Sequence, residues 1–119
     1  MEIITHINNQ RTVAEIKGEG VYLGGVEDGV DMIGNMYYQG YDCIILYADN
    51  ITPEFFDLHT KLAGEILQKF SNYRMRVAII GDWKNTTSKS LPDFIRESNA
   101  GRQVYFTDRL ENALEKLSQ

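Results

Sequence analysis

The chain has 119 residues, 43% hydrophobic and 24% charged, with one cysteine, two prolines and ten glycines, which is the size and mixture of one domain over residues 1–119 that buries about two-thirds of its surface. A net charge of −5 argues against nucleic acid or an anionic membrane as partner, and no apolar run reaches the ~18–20 residues of a membrane span. The opening MEIITHINNQ lacks the basic and apolar regions of a secretory signal, and the lone Cys43 has no partner for an internal disulfide, so the expected location is the cytoplasm.

Residues 2–7 and 12–17 are rich in β-branched side chains and flank a polar stretch starting at Asn8-Asn9-Gln10, which predicts a hairpin. Gly18-Glu19-Gly20 turns the chain toward a short strand at 21–23. Val26, Val30, Ile33 and Tyr37 then recur at helical spacing, with Gly24 and Gly25 before them, Glu27 and Asp28 in the first turn and Gly40 after. The continuous apolar run 43–48 (CIILYA) predicts a strand buried on both faces.

Thr52-Pro53 is a helix entry, a hydroxyl N-cap followed by proline. Phe55, Leu58, Leu62, Ile66 and Phe70 share one helical side, with a break near 57–60 and the main helix reaching about Tyr73. Residues 76–81 (RVAIIG) predict another buried strand, then a polar loop, 82–90, and a helix over 91–99 capped by Ser90 and ended by a left-handed Gly101. A strand at 103–107 and a helix at 108–117 with Leu110, Ala113, Leu114 and Leu117 inward complete the order. Strands alternating with helices imply a single α/β domain: a mostly parallel sheet of four or five strands with an N-terminal antiparallel hairpin and four helices.

A site in such a sheet belongs beyond the carboxyl ends of the parallel strands. There the sequence places Thr52, Asp57, Asp82, Trp83, Lys84 and the loop hydroxyls of Thr86, Thr87, Ser88 and Ser90 with Lys89. Hydroxyls, two lysines and a helix N-terminus form either an anion cradle or an ordinary solvated loop. Trp83 either stacks on a ligand or covers the sheet. His59 falls inside the apolar stripe, the setting of a buried, neutral core histidine; the competing reading makes it an acid–base group. Cys43 reads as buried rather than nucleophilic. Walker, dinucleotide and nucleophile-elbow motifs are absent, and two histidines and one cysteine make no recognisable structural zinc site, so no cofactor and no metal is expected. The polar cluster 94–102 (FIRESNAGR) is read as a helix end first and a partner contact second. Thr60 and Gly64 are read as neighbours on one helix, open to a helix of another copy.

Charge is polarised: residues 1–60 carry 2 basic and 10 acidic side chains, residues 61–119 carry 10 and 7. Scatter over a solvated surface and a bipolar molecule, able to pair head to tail, both fit.

FFDLHTKLAGEILQKFSNYR (55–74) and TSKSLPDFIRESNAGRQVYF (87–106) together resemble a family of small bacterial proteins described only as a domain of unknown function. The element order resembles the STAS domains of anti-sigma-factor antagonists and sulfate transporters. Their regulatory Asp-Ser-Ser/Thr-Gly is matched here at Asp57 alone, with Leu58 and His59 at the serine positions and Thr60 as the remaining hydroxyl. Together these readings lead to an expected regulatory binding module, taking a protein partner or a small anionic ligand at Thr52, Asp57, His59, Asp82, Trp83, Lys84, Ser88, Lys89 and Ser90, and assembling as a homodimer. The alternative is a small enzyme with His59 or Asp82 as acid–base group and Lys84 and Lys89 holding an anionic substrate.

Overall fold

Residues 1–86 and 88–119 are described by a computed structural model. Two seven-residue strands, β1 (Glu2–Asn8) and β2 (Arg11–Lys17), pair antiparallel in a register from Glu2↔Lys17 to Asn8↔Arg11. Asn9 and Gln10 between them both take positive φ, 52° and 65°, the left-handed pair of a tight type I′ turn. Three parallel strands follow: β3 (Cys43–Tyr47), β4 (Arg76–Ile80) and β5 (Val104–Thr107). The sheet order β1-β2-β3-β4-β5 repeats the chain order. Every crossover therefore steps the same way, and right-handed crossovers that step one way put their helices on one face.

That face is thick. The helices α1 (Val26–Tyr38), α2 (Leu62–Asn72) and α3 (Leu91–Ala100) pack there over Ala14, Ile16, Ile44, Leu46, Val77, Ile79 and Phe106. The opposite face carries Val13, Cys43, Ile45, Ala78 and Ile80 under one helix, α4 (Leu110–Leu117), which buries Ala113 and Leu117. The Cα radius of gyration is 13.2 Å, close to the ~13.5 Å of a compact domain of this length. Among the described residues no helix is long and apolar enough to cross a membrane.

Several expected details shift. The strand at 21–23 shrinks to one parallel bridge, Leu23↔Ile51. In α1 the buried set is Gly29, Met32, Ile33 and Met36, and Tyr37 is 71% exposed. The stripe runs through Gly29 because α2 comes close: a Cβ there would meet Ile66 Cγ2 at 3.4 Å. Thr52 gives no side-chain cap. The segment after it forms 3-10 turns, Pro53–Phe56 and Leu58–Thr60, before Lys61, at φ 64°, starts α2. Phe55 is buried, but Leu58 is not on the helix of Ile66 and Phe70, and neither is His59, which is exposed. Thr60 also lies outside α2, away from Gly64, and its hydroxyl donates to Glu54 O and Asp57 O, both at 2.8 Å. Gly101 is extended (φ −90°, ψ −164°) rather than left-handed.

Candidate functional site

Beyond the carboxyl ends of β3 and β4 lies an open cleft of about 780 Å³. One wall comes from the 3-10 turns after β3: Pro53, Phe56, Asp57, Leu58 and His59. The other is the run into α3: Thr86, Ser88, Lys89, Ser90 and Leu91. Proline at the turn entry fixes φ and removes an N–H, and the left-handed Lys61 stops the turns from merging with α2. That break swings Asp57 and His59 out of the core and into the cleft wall.

The structure thus brings together Asp57, His59, Ser88, Lys89 and Ser90, with Thr86 beside them. It leaves four expected members elsewhere. Thr52 is half-buried, its backbone N–H bonded to Leu23 O at 3.0 Å. Trp83 points inward and donates Nε1–H to Thr107 O at 2.9 Å. Its ring packs on Phe106 and on Phe56, with centroids 5.2 and 5.5 Å apart, so it backs the cleft wall from behind. Asp82 closes a local turn, accepting from Asn85 Nδ2 at 2.6 Å and Lys84 N at 3.3 Å. It lines a separate shallow depression with Tyr47, Asp49 and Asp108. Lys84 is exposed and lines neither. Thr87, the remaining hydroxyl of the expected cradle, lies outside the described residues.

The α3 N-terminus is itself modified from expectation. Ser90 provides no side-chain cap; Ser88 Oγ accepts from Leu91 N at 3.2 Å. Proline at position 92 has no N–H, and Phe94 N donates to Ser90 O at 3.1 Å. Asp93 stands in the first turn and binds Arg96 at 2.6 Å. The positive helix end is thus already partly answered from within, which weakens the cradle and leaves Lys89 as the cation of the cleft. Asp57 Oδ1 accepts from the backbone of His59, at 3.2 Å, rather than from its ring.

A polar network outside these residues went unforeseen. Glu15, 2% exposed, accepts from Tyr47 Oη at 2.6 Å and bonds His6 Nε2 at 2.8 Å. Burial raises the Glu15 carboxyl, but the hydrogen bonds to Tyr47 and His6, together with nearby positive charge, outweigh it and leave the group below its ordinary value. Burial, and then the bond to Glu15, push the Tyr47 phenol up. The sequence signal was a glutamate at an inward position of TVAEIK; its partners, 9 and 32 residues away, gave none. Burial likewise raises the Cys43 thiol. In the 94–102 cluster, Asn99 clamps β5 by accepting from Phe106 N (2.7 Å) and donating to Phe106 O (2.9 Å). Among the described residues, no cluster of three or more His, Cys, Asp or Glu is placed to hold a metal ion.

A model of the family DUF4180, a domain of unknown function, matches residues 8–117. No curated protein and no solved structure matches the chain.

Proposed function

The chain belongs to the DUF4180 family, and from that premise we propose that it is a binding module whose site is the cleft between the turns after β3 and the start of α3. The ligand it suits is a small molecule or chain end with an apolar body and one anionic group. The observation that carries this is the pairing of chemistries across the cleft. Phe56, Leu58 and Leu91 supply apolar wall, while Lys89, Ser88 and Ser90 supply one cation and two hydroxyls. Ligand sites are concave, mostly apolar and fixed by a few polar groups, with volumes of about 300–1,000 Å³.

Binding rather than turnover is favoured because the acid–base candidates are engaged or unoriented. Asp82 is spent on its own turn, and Asp57 meets the backbone of His59 instead of steering its imidazole, whereas a general base works with an orienting partner. A cytoplasmic setting, supported by the buried lone Cys43, and a STAS-like regulatory role, supported by element order, belong to the same reading.

The test is a titration of isotope-labelled protein with a panel of aromatic carboxylates and phosphates, followed by amide resonances. Shifts should cluster at His59, Ser88, Lys89 and Leu91. Lys89→Ala should weaken binding about tenfold or more, roughly 1.4 kcal/mol, at unchanged melting temperature. Shifts centred elsewhere, or a Lys89→Ala protein that binds like wild type, defeat the proposal.

A further inference from the structure

β1 is the free end of the sheet, seven residues long against four for β5 at the other end. Edge strands are normally guarded by proline, lysine, a bulge or brevity, because their unpaired N–H and C=O groups template another strand. EIITHIN has none of these guards: its register with β2 runs unbroken over all seven residues, four of the seven are isoleucine or threonine, and Ile7 is 78% exposed.

Which groups face outward follows from β2. Thr12 donates N–H to Asp42 Oδ2 at 2.9 Å, and its C=O accepts from Asp42 N at 2.8 Å, so both turn away from β1. In an antiparallel ladder, opposed residues either exchange both bonds or turn both away, in strict alternation. Ile7 lies opposite Thr12 and so faces the open edge, as do Thr5 and Ile3.

We propose that two copies of this chain join through β1, antiparallel about a two-fold axis at Thr5, into one continuous sheet. The register is self-complementary. Thr5 meets Thr5 of the second copy, and Ile3 meets Ile7 in both directions, so all three outward residues find partners in about six ladder hydrogen bonds. A two-fold at Ile4 strands Ile7, and one at His6 strands Ile3. In the Thr5 register the exposed Ile7 is covered by a β-branched neighbour on the same face. Glu2 falls opposite Asn8 and Ile4 opposite His6, so no like charges oppose each other. A closed two-fold also uses up the edge, which an open head-to-tail array does not.

The experiment is sedimentation velocity from about 1 μM to about 1 mM, paired with amide exchange at both ends of that range. The expected result is a monomer–dimer equilibrium. On concentration, the amides of Ile3, Thr5 and Ile7 should slow about tenfold or more, while Ile4 and His6, bonded to β2, stay protected throughout. Ile7→Lys should weaken dimerisation at least tenfold with little change in melting temperature, because its side chain is already in solvent. Thr5→Pro, which removes an outward N–H without touching a bond to β2, is the second variant and should do the same. The inference is overturned by a monomer across the whole range, by a dimer whose protection lies elsewhere or survives both substitutions, or by a monomer whose β1 pairs only with an added foreign strand peptide.

Discussion

Ser88 and Ser90 stand two residues apart before the same helix, and only Ser88 caps it with its side chain. Because Ser88 Oγ takes the Leu91 N–H, Ser88→Ala should cost about 1 kcal/mol in urea unfolding. Ser90→Ala should stay within about 0.5 kcal/mol; the reverse order would contradict the cap geometry. The sequence could not separate them, since either serine is a credible N-cap when the first helical residue is uncertain by two. His59 misled for a related reason. Helical angles are meaningful only on one continuous helix, and a left-handed Lys61, at a residue type that rarely adopts it, cuts the phase between His59 and Ile66. In α1 an apolar count passes over Gly29, which contributes nothing to it, yet Gly29 is buried against Ile66 of α2.

At the level of elements, strands and helices were legible because runs such as CIILYA and RVAII and the stripe Ile66–Phe70 each had one structural solution. What was not legible is how α4 is fastened. Arg76 sits at the start of β4 and donates to Arg102 O (2.6 Å), Gln119 O (3.0 Å), Lys116 O (3.1 Å) and Leu117 O (3.2 Å). It thereby satisfies carbonyls that a helix C-terminus leaves open. Burial pulls the guanidinium down from its ordinary value. Arg76→Ala should therefore destabilise by about 2 kcal/mol and speed amide exchange in α4 before the rest of the fold. Arg76→Lys should recover only part of this, because an ammonium cannot reproduce the planar fork. Equal recovery by lysine would mean charge alone matters.

Across the whole molecule, the Glu15 network links the edge hairpin to the middle of the sheet and makes stability depend on acid. The folded pKa of Glu15 lies below its ordinary 4.5. Its contribution is therefore complete above that ordinary value and is lost as pH falls through the lower, folded value. Urea midpoints from pH 7 to pH 3 should show wild type losing more stability than Glu15→Gln, the two converging at the acid end. Parallel curves would remove Glu15 as a source. The cleft is divided in the same way between what sequence shows and hides. Ser88, Lys89 and Ser90 were legible as loop chemistry, whereas Leu58 and His59 fell in a buried stripe and became cleft wall only when the turns broke the helix.

A sheet whose spatial order repeats its chain order has a consequence for synthesis. Each strand after the first finds one neighbour already laid down as it leaves the ribosome, so the sheet can grow one strand at a time in chain order. The hairpin tip does wait. Asn8 and Asn9 reach the carbonyls of Leu114 and Ser118, 106 and 109 residues away, and those bonds cannot form until α4 has emerged. Vectorial assembly thus leaves one face of the growing sheet, with Cys43 and its apolar neighbours, uncovered until α4 arrives.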